Sequence, residues 1–220
     1  MKYYRISDSV DLNVIGKYPQ IEDVKCDCDP IEDPLFIDNI GYKKINFTPK
    51  TPIGILNKGA KLTDVLTSPS IGYTKKIIVS DEFKNVLCQF GDENFQFFKS
   101  EIEITKNKKV HYWILNPTNF NYNDIDFKNS EFFLIRDLFI KEEKLNINSL
   151  EDFLTEKNRI EKLGFLYQFH IEKLFIEPKS KRDFIIVDNV KGGIGYYVSE
   201  NIKKEITKRN LTGLEFIELN

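Results

Sequence analysis

Ile77-Ile78-Val79-Ser80-Asp81-Glu82-Phe83 decides the reading of the fold, because its pattern returns later in the chain as Tyr196-Tyr197-Val198-Ser199-Glu200-Asn201-Ile202. In each copy an apolar triplet, β-branched or aromatic, reads as a strand. A serine then stands where a helix N-cap belongs, and acids occupy the first turn, where the positive end of the helix dipole favours them. In the first copy Phe83, Val86, Leu87 and Phe90 share a helical face, Gly91 stands at its end, and Phe95, Phe97 and Phe98 open another strand. The second copy continues with Ile202 and Ile206 inward, then Leu214-Glu215-Phe216-Ile217. One ungapped offset of 119 residues carries Ser80 to Ser199, Phe83 to Ile202, Leu87 to Ile206, Phe95 to Leu214 and Phe97 to Phe216. The match lies in pattern rather than in identical letters, and two unrelated helix starts of ordinary type are the alternative to a duplication. Units of this size (residues 76–98 and 195–217) cannot bury their apolar faces alone, so each must pack on further sheet.

Composition bounds what surrounds these units. At 220 residues with 41% hydrophobic and 30% charged positions, the chain is long enough for a buried core and unlike disordered or collagenous sequences. The balance of 32 basic against 34 acidic residues supplies no basic field for nucleic acid, so none is expected as a partner. Asp8 and Asp11 interrupt the N-terminal stretch before an apolar run of signal-peptide length, and no long apolar run suits a membrane span. Cys26, Cys28 and Cys88 are odd in number with no disulfide-framework spacing, as in a reducing compartment. A cytoplasmic protein without a membrane partner is expected. Alanine occurs once, at Ala60, while strand formers abound, which predicts a sheet-rich α+β fold.

The expected organisation is a single domain over residues 1–220 in three parts. Residues 1–70 carry Pro19, Pro30, Pro34, Pro49, Pro52 and Pro69 between short apolar pieces and read as an irregular wrapping segment with short strands. The first half, 71–130, contains Val110–Leu115 as a buried strand closed by Asn116-Pro117, then a polar, turn-rich stretch over 119–129. The second half, 131–220, contains a helix opened by a capping box at Ser149–Asp152, with Leu150, Phe153, Leu154, Ile160 and Leu163 inward. After Gly164, alternation of Phe165, Tyr167, Phe169 and Ile171 with Leu166, Gln168 and His170 predicts a strand, Phe184–Val187 another, and Gly192-Gly193-Ile194-Gly195 a turn into the second copy.

Candidate chemistry is sparse. His111 and His170 both fall inside predicted strands, where a packed structural histidine is the ordinary reading. Cys26-Asp27-Cys28-Asp29 lacks the second ligand pair of a zinc site, and the glycine run lacks the flanking residues of a phosphate loop. Neither a metal nor a cofactor is expected. Glu22, Asp23, Asp27, Asp29, Glu32 and Asp33 stand against one base, Lys25; such a run is ordinarily a solvated loop, and its functional alternative is a negative surface that docks on a basic protein. A carboxylate-only active site is neither indicated nor excluded by residues this numerous.

The order of short patterns resembles a family of bacterial immunity proteins from polymorphic toxin systems. The resembling pieces are Ala60–Leu66, Ile78–Phe83 leading to Phe95–Phe98, Tyr112-Trp113 followed by Ile125–Ser130, Tyr197–Glu200, and the closing Leu211–Phe216. They span the chain from residue 58 onward; residues 1–57 match nothing specific, and the helix at 149–163 looks like an elaboration. The resemblance implies a cytosolic, non-catalytic protein that binds a cognate toxin and occludes its active site. Within it the shared residues are structural: Ser80 and Ser199 cap helices, Phe97 and Phe216 fill a core, Gly213 permits a turn, and Asp126 with Ser130 closes a polar loop. The rival readings are an enzyme with carboxylate-based chemistry that reverses a toxin's modification, and an adaptor module that neutralises nothing.

Overall fold

A computed structural model describes residues 1–91 and 94–219. The elements run β1 (Tyr3–Asp8), α1 (Leu12–Ile15), β2 (Ile21–Lys25), β3 (Ile53–Leu56), β4 (Val65–Leu66), β5 (Ile77–Val79), α2 (Asp81–Gln89), β6 (Phe95–Thr105) and β7 (Lys108–Pro117). They continue with β8 (Glu131–Arg136), β9 (Ile140–Leu145), α3 (Leu150–Glu161), β10 (Tyr167–Lys173), β11 (Phe184–Val190), β12 (Gly193–Ser199), α4 (Glu200–Lys208) and β13 (Leu214–Glu218). Strand outweighs helix, 38% against 17%, in the sheet-rich α+β class that the composition predicts. One sheet has seven strands in the order β13-β1-β12-β11-β10-β8-β9, and the other has six in the order β2-β3-β6-β7-β5-β4.

The two predicted units are the same structure. Val65 faces Val79 and Leu66 faces Ile78 across β4 and β5; 119 residues later Phe184 faces Val198 and Ile185 faces Tyr197 across β11 and β12. Ser80 caps α2 by accepting from the Phe83 amide at 3.2 Å, and Ser199 caps α4 by accepting from Asn201 and Ile202. Behind each cap stands an aspartate at the same distance along the chain. Asp64 takes the Ser80 hydroxyl at 2.7 Å while its carbonyl takes the Ser80 amide at 2.8 Å, and Asp183 holds the Ser199 hydroxyl and amide in the same way. The first helical residue of each copy accepts from a ring on the neighbouring strand, Asp81 from the Trp113 indole and Glu200 from the Tyr4 hydroxyl. Lys84 lies over Trp113 at 3.3 Å, and Lys203 over Tyr4 at 3.6 Å.

The equivalence extends to a strand outside the ungapped offset. In the first copy β7 runs between β5 and β6, with Leu115 opposite both Ile77 and Phe97. In the second, that place belongs to β1, with Ile6 opposite Tyr196 and Phe216. The common unit is therefore four strands and a helix, circularly permuted between copies. Residues 1–70 were expected to wrap irregularly with short strands, and β1 goes beyond that expectation: it is internal to the larger sheet, with Tyr4 and Ile6 facing one core and Tyr3 another. Of the rest of that segment, β2, β3 and β4 belong to the smaller sheet, and Phe36, Ile37 and Ile40 between β2 and β3 cover its outer face.

Burial follows from the pairing. The central core joins both copies through Val65, Val79, Phe83 and Leu87 from one and Phe184, Val198, Ile202 and Ile206 from the other, and Phe95 meets Phe184 edge-on at 5.3 Å. The outer face of the larger sheet is covered by α3 through Phe153 and Ile160. Phe97 and Phe216, expected inside, are half-buried at the margin of the central core, where Lys84 and Lys203 lie over them at 5.7 and 5.5 Å. Gly213 meets its expectation strictly: at φ +88° its backbone passes so close to β4 that an added Cβ would stand 2.1 Å from the Val65 carbonyl. Asp126 accepts from Asn129 at 2.7 Å and its carbonyl takes the Ser130 amide, while Ser130 pins Phe175.

Residues 2–3 and 218–219 lie side by side, with the Leu219 amide on the Tyr3 carbonyl at 3.0 Å and Lys2 paired to Glu218 at 2.9 Å. A circular permutant beginning at Val10, with residues 1–9 joined after Leu219 through a glycine turn, should therefore fold. We expect its far-UV circular dichroism to match the parent and its Tm to lie within about 5 °C. An unfolded permutant would overturn the assigned equivalence of β1 with β7.

Candidate partner-binding surface

The acidic stretch divides in two. Asp29 accepts from the Ile31 and Glu32 amides, and Asp33 accepts from Leu35 and pairs with Lys50 at 2.7 Å, so these carboxylates hold their own loop. Lys50 holds the Asp33 carboxyl below its ordinary range. Glu22, Asp23, Asp27 and Glu32 are exposed around the edge strand β2 and its exit. Cys26 and Cys28 are half-buried against the core of the smaller sheet, and among the described residues no group of three His, Cys, Asp or Glu could hold a metal ion.

The histidines do not converge. His111 is exposed on β7, and His170 is half-buried on β10, 3.4 Å from Glu172. Burial depresses the His170 pKa despite Glu172, which Lys141 in turn holds ionised at 2.9 Å. Tyr122 donates to Asp188 at 2.6 Å, and Lys157 of α3 reaches the same carboxylate at 2.8 Å. Burial and then the Asp188 charge push the Tyr122 pKa up, so its phenol stays protonated, opposite to what a nucleophile or base would need. This cluster ties α3 to the end of β11.

A different surface carries the strongest signal. Phe139 is 86% exposed and Phe165 89%, and Leu138, Ile140, Leu163 and Leu166 are exposed around them. The Asp137 amide donates to the Leu166 carbonyl at 3.0 Å, which brings the turn between β8 and β9 against the loop between α3 and β10. Large rings standing almost fully in water give nothing to folding. Two of these residues correct the sequence reading: Leu163 was expected inward, and Phe165 was expected to open a strand that starts only at Tyr167. A third correction, Leu154, is 47% exposed on α3. The physical reason is geometric, since Phe153 and Ile160 already fill the α3 contact and Gly164, at φ +99°, swings the chain outward before β10 starts at Tyr167.

The turn itself is strained. The Phe139 amide closes on the Arg136 carbonyl at 3.2 Å with Asp137 at φ +51° and Leu138 at φ +69°, a two-residue left-handed turn that ordinarily takes Asn-Gly. Beside it opens a groove of about 640 Å³ lined by Leu138, Phe139, His170, Asn189, Lys75 and Lys191. Five non-glycine residues have positive φ among the described residues; Lys75, Leu138 and Asn189 line this groove and Asp137 adjoins it. Strain of this kind persists where the surroundings or a function enforce it. Sequence reasoning missed the surface, although Leu138-Phe139 stand apolar at a hairpin turn where polar residues belong.

No protein-family model matches the chain, and a search of curated proteins finds no match. No helix among the described residues is long and apolar enough to cross a membrane.

Two outcomes test this surface on the isolated protein. Leu138→Gly relieves a left-handed leucine and should raise stability by about 1 kcal/mol in urea unfolding; a loss of stability would show that the leucine packs usefully. His170 has its pKa held below 6.5 when folded, so the unfolded chain binds more protons as pH falls through 6.5, and stability is lost with acid. Between about pH 7.5 and about pH 5.5 the parent should therefore lose more Tm than His170→Gln, and equal slopes would refute the assignment.

Proposed function

We propose that this chain is an immunity protein that binds a cognate toxin in the cytoplasm and neutralises it by stoichiometric occlusion. The observation that carries the reading is the exposed aromatic patch around Phe139 and Phe165, presented in part by a strained turn. Buried aromatic anchors supply most of the affinity at protein interfaces, and isolated chains rarely hold two such rings in water without a partner. The resemblance to the immunity family agrees with a surface made for a protein rather than for catalysis. Glu22, Asp23, Asp27 and Glu32 add a separate negative surface, which speeds encounter with a basic toxin, while Asp29 and Asp33 mainly shape their loop.

The test is co-expression with the product of the adjacent toxin gene, scored for survival and for co-purification. The parent should rescue and form an equimolar complex, and Phe139→Ser with Phe165→Ser should weaken that complex by at least about a hundredfold while keeping the fold. Rescue at far below one copy per toxin would replace the reading with an enzyme that reverses the toxin's modification. An equimolar complex that leaves the toxin active would replace it with an adaptor.

A further inference from the structure

We infer that the groove beside the patch receives an acidic segment of the partner, with a carboxylate held between Lys75 and Lys191 and a neighbouring apolar side chain seated against Leu138 and Phe139. The inference rests on the immunity reading and names the chemistry that the surface selects. It starts from charge. Of the acids lining the groove, Glu172 is occupied by Lys141 at 2.9 Å and His170 at 3.4 Å, and Asp188 by Lys157 at 2.8 Å and Tyr122 at 2.6 Å. Lys75 and Lys191 have no carboxylate within ion-pair distance among the described residues. Arg5 donates to the Lys191 carbonyl and so holds the turn between β11 and β12 that carries Lys191. A groove whose acids are already paired and whose outer cations are not is complementary to an anion.

The backbone supports the same occupant. Lys75 sits at φ +59°, where glycine or asparagine would be less strained, so a lysine here costs the free chain some backbone energy. Its stem lies along Gly193, where an added Cβ would stand 3.3 Å from the Lys75 Cε. Gly193, with no side chain, thus leaves the Lys75 stem room along this wall of the groove. Asn189 lines the same wall with a buried amide nitrogen that lacks a partner among the described residues. A small free anion would engage the lysines and leave Leu138 and Phe139 in water; a protein segment covers both.

The test selects a random phage-displayed peptide library against the full chain and against the double variant K75Q/K191Q. Peptides taken by the parent should be enriched in Asp or Glu next to Phe or Leu, and those taken by the variant should not. In fluorescence anisotropy the best peptide should bind the parent at least about tenfold tighter than its Asn/Gln isostere, and K75Q/K191Q should abolish the difference. F139S should weaken both peptides alike. Absence of acidic enrichment, or discrimination that survives K75Q/K191Q, overturns the inference. Binding of free glutarate as tight as that of the peptide overturns it in favour of a small anion. Rescue in co-expression without peptide discrimination removes only the groove inference, whereas failure of the parent to rescue removes the immunity reading whatever the peptides do.

Discussion

Each copy of the repeated unit turns from strand to helix on one clasp, an aspartate that takes both the amide and the hydroxyl of the capping serine. The serine oxygen must accept from the helix amides to satisfy donors that have no partner within the helix, and its own proton then needs an acceptor. Asp64 and Asp183 supply it from the start of the paired strand, so strand register, helix start and crossing direction are set at one point. An N-cap alone contributes about 1 kcal/mol. Its larger effect is to aim α2 and α4 so that Phe83 and Ile202, with Leu87 and Ile206, enter a shared core.

From that arrangement the rest follows. Two units that bury their inner faces on each other leave two outer sheet faces, and each outer face needs a cover. The smaller sheet is covered by the proline-rich segment and the larger by α3. The larger sheet also extends beyond the central core through β10, β8 and β9, which add to the outer core and not to the central one. On their inward side Ile135, Gln168, His170 and Glu172 therefore line open space, and this is the groove.

Elements specified by local chemistry were legible in the sequence. Ser80, Ser149 and Ser199 cap helices that a one-dimensional pattern can show, and the offset of 119 residues is visible because both copies keep one spacing. The clasp aspartates and the role of β1 were not legible, because β1 reaches its place by permutation, far outside the offset. The patch was misread for a related reason. Leu163 and Phe165 satisfy a periodic pattern as well as buried residues do, and periodicity does not report how much inner surface remains to be covered. The acidic stretch was legible as charge, but only the fold separates the carboxylates that pin the loop, Asp29 and Asp33, from those turned to solvent.

Strain and exposure at one place carry different weight from either alone. A left-handed leucine costs about 1–2 kcal/mol, and solvating a phenylalanine forgoes roughly the 1.5–3 kcal/mol that burial would return. Against a net stability of about 5–15 kcal/mol for a typical domain these are large concessions, and glycine at position 138 with a polar residue at 139 would remove both without touching a core. Selection for folding alone therefore works against Leu138 and Phe139. Under the proposed function, their presence on a hairpin beside cations whose neighbouring acids are already paired is accounted for by a second protein that supplies the missing apolar and anionic contacts. On that proposal the stability withheld from the free chain would reappear as affinity, because apolar surface left in water by folding is what a partner can bury.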